Sequence, residues 1–308
     1  MTAAIEVQGL VKVFGRCRAL DGVDLTVPAG SVFGFLGPNG SGKTTTLRIL
    51  SGLARPSAGR ARVFGRDVVG ATNEVRADIG YLPDVPGYYG WMTAPEFLRF
   101  AGRLFGLSGR VLESRVEALL DLAGLRGVTS RVGGFSRGMK QRLGVAQALI
   151  NAPRLLMLDE PTSALDPIGR KEVLDMIATV GGRATVFFST HILADVERVC
   201  DTVAVLGAGR VLVQAPIGEL KRRYHDGNLL LEVTDGADVL AARLAHEPWV
   251  TGLQRRGERT LVLTVTEMDV ARRAVPAAVA EQGCGLVRLE AGEVSLEDVF
   301  VDLVGGGR

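Results

Sequence analysis

Gly37-Pro-Asn-Gly-Ser-Gly-Lys43-Thr44 constrains this chain more than any other stretch. It fits the pattern G-x-x-x-x-G-K-[ST], and it stands where that pattern has structural meaning. Ahead of it, 32–36 is a short apolar run that reads as a buried strand; behind it, 45–53 reads as a helix. Gly37, Gly40 and Gly42 let the backbone wrap closely, with N–H groups turned inward as a nest for phosphate oxygens. Asn39, Ser41 and Thr45 lie in or beside the same wrap. A helix starting there adds the positive end of its dipole. Lys43 is placed to reach β- and γ-phosphates, and Thr44 to hold Mg²⁺ through its hydroxyl.

Other short apolar runs, 155–158, 186–188 and 203–206, read as strands of the same parallel α/β sheet, buried on both faces. Runs at 5–14, 23–27 and 61–64 read instead as a small antiparallel layer with polar turns. Residues 93–127 carry helical periodicity, as in Pro95-Glu-Phe-Leu-Arg-Phe, which predicts a helical insert between strands. Apolar residues make up 47% of the chain, ample for a core, yet no run approaches the ~20 needed to span a bilayer. The start shows no basic region followed by a long apolar run, so a soluble, intracellular protein without a secretory signal is expected. Cys17, Cys200 and Cys284 are too dispersed for a disulfide framework or a metal site and read as reduced, structural residues. A net charge of +2 argues against a nucleic-acid partner.

A second chemical signal is Arg154-Leu-Leu-Met-Leu-Asp159-Glu160. A buried strand here ends in two acids, at the edge where parallel sheets bind ligands. Asp159 suits Mg²⁺, directly or through water, and Glu160 suits the general base that polarises an attacking water. A third signal is Phe135-Ser136-Arg-Gly138-Met-Lys-Gln-Arg142. Ser136 is a good N-cap, Gly138 allows close approach, and the helix start attracts anions.

With these three in order, residues 4–220 resemble an ABC transporter ATPase. Phe135–Met139 takes the place of that family's signature, usually Leu-Ser-Gly-Gly-Gln; Ser136 and Gly138 match it, while Arg137 and Met139 depart. The resemblance implies that this helix start faces the γ-phosphate bound by a second subunit. It also implies that Ser163-Ala-Leu-Asp166 communicates across the dimer, that His191 contacts the γ-phosphate, and that Phe14 stacks on adenine. Phe14 alternatively reads as a core residue of the antiparallel layer. Where the family usually has a glutamine that touches Mg²⁺ and water, this chain has Asp84, shorter and negatively charged, which could still meet the metal. The aromatic stretch Gly87-Tyr-Tyr-Gly-Trp91 falls where the family docks on a membrane subunit; alternatively its rings pack on the chain's own helical insert.

Beyond Lys221-Arg-Arg-Tyr-His-Asp-Gly227 the pattern changes. Strands 229–234, 249–255, 260–266 and 285–290 with helices 237–245 and 268–282 give the order βαββαβ, a ferredoxin-like α+β domain. Ser295-Leu-Glu-Asp298 reads as a capping box opening a last helix. The expected division is a P-loop ATPase domain over 1–222, with its helical insert at about 85–152, and an accessory domain over 227–308.

The resemblance implies an ATP-hydrolysing subunit that energises a transporter, with ATP and Mg²⁺ as cofactors and export as the favoured direction. Its catalytic residues would be Lys43, Glu160 and His191. Thr44, Asp159 and Asp84 would face the metal. Its partners would be a second ATPase subunit, identical or a paralogue, and an integral membrane permease reached through Tyr88–Trp91, on the inner face of the membrane. Two other readings stay open: a soluble ABC ATPase acting on nucleic acid or ribosomes, and a nucleotide-binding regulatory subunit with little turnover.

Overall fold

The computed structural model describes residues 3–70, 72–220 and 228–291. The chain divides into two compact units, Met1–Ile217 and Gly218–Arg308.

The first unit opens with β1 (Ala3–Phe14) and β2 (Cys17–Pro28), passes through β3 (Val32–Leu36) into α1 (Lys43–Leu50), and returns as β4 (Ala58–Val63) and β5 (Arg66–Asp67). A short α2 (Thr72–Ala77) leads to β6 (Ile79–Leu82). The helical segment follows, with α3 (Ala94–Leu104), α4 (Gly109–Leu122) and α5 (Arg137–Ala148). Then come β7 (Leu155–Asp159), α6 (Pro167–Val180), β8 (Thr185–Thr190), α7 (Leu193–Val199), β9 (Thr202–Gly207) and β10 (Arg210–Pro216).

Two sheets result. The antiparallel one has the order β2-β1-β4-β5; the larger has the order β10-β9-β3-β8-β7-β6 and is parallel except for β10 against β9. Every residue of β3, β7 and β8 is buried. Phe187 packs between Phe33 and Phe35, with ring centroids 5.7 and 5.3 Å away. Burying such a ring contributes roughly 2–3 kcal/mol, which fixes the strands that carry the site. Register then sets which residues leave the same sheet edge together: Leu36 pairs with Thr190, Asp159 with Ser189 and Leu82 with Leu158. In the helical segment, Thr93 starts α3 with a capping box closed by Glu96, whose Oε2 accepts from Thr93 N at 2.8 Å.

The second unit contains β11 (Asn228–Val233), α8 (Ala237–Leu244), β12 (Val250–Arg256), β13 (Thr260–Val265), α9 (Met268–Glu281) and β14 (Leu286–Ala291). Its sheet order is β12-β13-β11-β14, antiparallel throughout, which is the ferredoxin-like topology expected from βαββαβ. Alternate residues Leu229, Leu231 and Val233 of β11, with Leu261 and Leu263 of β13, form its core with Leu240 and Val275 of the helices.

The structure corrects three expectations. The helix after the phosphate loop runs Lys43–Leu50, two residues earlier in start than 45–53, because the turn at Gly42 (φ 110°) lets the helix begin inside the motif. Cys17 is exposed at the β1–β2 hairpin, so it is not a packing residue, though all three cysteines are free. β6 and β10 extend the large sheet where no strand was read. The stretch 221–227 and Ser295–Asp298 lie outside the described residues. Among the described residues, no helix is long and apolar enough to cross a membrane.

Candidate active site

The phosphate loop hangs between β3 and α1. Gly37 N donates to Thr190 O at 3.2 Å, tying the loop to the end of β8. A Cβ on Gly37 would lie 2.4 Å from Leu206 O and 2.7 Å from Ser41 Oγ, so only glycine fits this approach. Ser41 is itself buried, and its hydroxyl has no hydrogen-bond partner among the described residues. Lys43, the first residue of α1, is 6% exposed. Its ammonium donates to Gly37 O at 2.7 Å and to Pro38 O at 3.2 Å, so the charge is held at the mouth of its own loop.

Asp159 and Glu160 stand opposite. Asp159 is 1% exposed; its Oδ1 accepts from Ser189 Oγ at 2.6 Å and from Thr44 Oγ1 at 3.1 Å. Its Oδ2 is buried and has no hydrogen-bond partner among the described residues. Burial raises the Asp159 carboxyl above the usual carboxylate range against the pull of those two hydroxyls, and the charges of Asp84 and Glu160 push the same way. A buried carboxylate oxygen with no donor, beside the Thr44 hydroxyl, is a donor set suited to a hard divalent cation such as Mg²⁺.

Glu160 takes a left-handed backbone, φ 49°, unusual for a residue with a side chain. Its N–H is shared between Ser189 O and Ser189 Oγ, both at 3.1 Å. Oε1 lies 3.1 Å from Lys43 Nζ, an ion pair by distance whose angles fall short of a hydrogen bond, and Oε2 lies 2.8 Å from His191 Nδ1. Lys43, Glu160 and His191 therefore form one continuous polar chain from the loop to the end of β8. A carboxylate so placed can accept a proton, while the cation and imidazole beside it can stabilise developing negative charge.

The remaining sequence-derived residues have their own surroundings. Phe14 is 54% exposed and not in the core, with Lys12 Nζ 4.8 Å from its ring centroid. Ser136 caps α5, accepting from Met139 N at 3.1 Å, while Phe135 anchors the cap from the buried side. Ser136 and Arg137 are exposed and Gly138 is half-buried, so this helix start is open. Asp84 is exposed just beyond β6, at the sheet edge shared with Asp159. Of the three aromatic residues expected to face a partner, Tyr88 is turned inward: its OH donates to Lys140 O at 2.6 Å and its ring packs edge-on to Phe97. Tyr89 and Trp91 are exposed, at 48% and 64%.

Two contributors were not anticipated. Ser189 joins both acids, which only the β7–β8 register reveals. Asp195, wholly buried on α7, takes hydrogen bonds from Thr162 Oγ1 and Arg170 Nε, each at 2.5 Å. It anchors both sides of the Ser163–Asp166 turn, in which Ala164 is left-handed at φ 52°.

Comparison with known proteins bears on the family and the fold. The ABC transporter family model matches residues 20–163. A Bacillus subtilis protein named as the uncharacterized ABC transporter ATP-binding protein YxlF is 38% identical over 97% of this chain and 99% of its own length. The chain belongs to the ABC transporter ATP-binding family. Its ABC relatives include the bacitracin transport ATP-binding protein BcrA of Bacillus licheniformis, 34% identical over 100% of this chain and 99% of that protein. They also include the daunorubicin/doxorubicin resistance ATP-binding protein DrrA of Streptomyces peucetius, 37% identical over 99% and 93%. A solved structure of an ATP-binding subunit of an ABC transporter superposes with a TM-score of 0.65 at 32% identity, covering 72% of this chain and 93% of that one. This ABC protein is accordingly an ATPase that binds ATP and serves an ATP-driven transporter.

Proposed function

We propose that the chain is the ATP-hydrolysing subunit of an exporter, paired with a second ATPase subunit and docked on a separate integral membrane permease at the cytoplasmic face. The observation that carries this is the Lys43–Glu160–His191 chain facing the phosphate loop, beside an Asp159 oxygen with no donor. Export is favoured because relatives aligned along almost the whole chain carry bacitracin transport and drug resistance in their names.

In this reading the loop amides and Lys43 hold the β- and γ-phosphates, and Phe14 offers its exposed ring to adenine. Thr44 and Asp159, with Asp84 at the same edge, would hold Mg²⁺. When bound, that ion neutralises phosphate charge. Glu160 accepts a proton from the attacking water, with Ser189 fixing its backbone and His191 its carboxylate. His191 also contacts the γ-phosphate. The open Ser136–Gly138 helix start lies far along the chain from the loop, and it completes the site of a second copy or a paralogue by two-fold symmetry. ATP then joins the two subunits and hydrolysis releases them. Tyr89 and Trp91 form the exposed part of the permease contact.

Light scattering of Glu160→Gln with ATP tests the reading. A mass twice that of the chain supports it; monomers only, with ATP demonstrably bound, would overturn the paired mechanism.

A further inference from the structure

The exposed ring of Phe14 carries a cation on one side. Lys12 Nζ lies 4.8 Å from the ring centroid, within the range at which an aromatic face holds an ammonium. The two residues stand two apart on β1, so their side chains leave the same face of the strand. Among the described residues no other aromatic ring packs against Phe14. A ring so exposed turns between rotamers unless something holds it.

Lys12 is itself well anchored. It is half-buried, its ammonium donates to Arg55 O at 2.7 Å, and it makes no ion pair among the described residues. The strand is pinned on both sides of it: Ser57 N donates to Val11 O at 2.8 Å, and Val13 N donates to Ser57 Oγ at 3.0 Å. Arg55 and Ser57 lie in the segment between α1 and β4, and α1 is the helix that begins in the phosphate loop. β2, the other strand of the hairpin, reaches the same loop, since a Cβ on Gly42 would lie 2.7 Å from Ala19 O. The ammonium is therefore fixed relative to the phosphate loop, and it covers one face of the ring.

We propose that Lys12 is a positioning residue for Phe14: it holds the ring in one orientation from one face and leaves the opposite face for the adenine base. The proposal rests on the reading that Phe14 stacks on adenine. A ring already held loses less freedom when the base arrives, so the gain falls on affinity for the base and not on affinity for the phosphates.

Calorimetric titration of the full chain with ATP, and with inorganic tripolyphosphate as a probe that lacks the base, both with Mg²⁺, tests this. Lys12→Met keeps the length of the stem and removes the charge; it should weaken ATP binding by ~2–5-fold and leave tripolyphosphate binding unchanged. Lys12→Arg, whose guanidinium also stacks on aromatic faces, should keep the affinity for ATP. The double variant Lys12→Met with Phe14→Ala should bind ATP no more weakly than Phe14→Ala alone. Unchanged ATP binding in Lys12→Met, an equal loss for tripolyphosphate, or losses that add in the double variant would overturn the proposal. Phe14→Ala separates it from the reading beneath it. Should that variant bind ATP as the unaltered chain does, adenine stacking itself falls; a loss there with none in Lys12→Met sinks only the role given to Lys12.

Discussion

Lys43 Nζ stands 3.1 Å from Glu160 Oε1, so a single ammonium bridges the phosphate loop after β3 and the acid just beyond β7, two strands away in the sheet. Sharing one cation does not make the two residues equivalent. Lys43→Ala removes charge-assisted hydrogen bonds to phosphate and should weaken ATP binding by ~10–100-fold, or abolish turnover. Titration calorimetry and phosphate release check this; unchanged ATPase activity would contradict the loop assignment.

Glu160→Gln is expected to behave in the opposite way. It retains size and one hydrogen-bond acceptor but cannot take a proton, so kcat should fall by ~10²–10⁴-fold while ATP affinity is kept. Steady-state kinetics beside equilibrium binding distinguish the two variants.

Asp159 makes the site costly to the fold. Its folded pKa is raised by burial, so its contribution to stability is fully present below the pKa of an unfolded aspartate and is lost as pH rises through the raised folded value. Near neutral pH the charged, buried carboxylate is a liability. Asp159→Asn should therefore stabilise the metal-free protein by about 1 kcal/mol, a rise of a few degrees in melting temperature, while losing Mg²⁺-dependent turnover. Calorimetry at pH 5 and pH 8 checks this, with the gain larger at pH 8; a lower melting temperature at both would contradict it.

Ser189→Ala removes the 2.6 Å hydrogen bond to Asp159 and half of the acceptor pair for Glu160 N. Both acids stay present but less well aimed. A kcat loss of roughly tenfold with little change in KM is expected, as for a misplaced catalytic group. A pure KM effect would show that Ser189 acts through binding.

Trp91→Ala should weaken association with the membrane permease more than it alters the ATPase activity of the isolated chain, because the ring is 64% exposed and, among the described residues, stacks on no ring but that of Tyr89. Co-purification from detergent extract measures this, and equal recovery of the variant would remove Trp91 from the contact.

The strands that carry chemistry were legible because their sequences are runs of apolar residues bounded by turn or polar residues, as at Val32–Leu36 and at 155–158 before Asp159. β6 was missed because four residues before a proline give too little pattern, and β10 because its alternating exposure is that of an edge strand. The ferredoxin-like unit was readable from the order of its strand-like and helix-like runs, whereas the alternate burial of Leu229, Leu231 and Val233 is hidden in a run where Leu230 is apolar as well. Lys43, Thr44, Asp159 and Glu160 announce themselves by motif. Ser189 does not, since its importance comes from lying across from Asp159 in the sheet, a relation between distant segments that no local pattern encodes. The inward turn of Tyr88 is hidden for the same reason: three aromatics in four residues look alike until α3 and α5 are in place.

The left-handed turn at Glu160 sets a trap for anyone hardening this protein. Glycine would sit in that turn without the penalty of about 1 kcal/mol that a side chain incurs there. The same change would leave the buried Lys43 ammonium without its carboxylate neighbour, a larger cost, so the tension in this turn cannot be relieved without loosening the centre it serves.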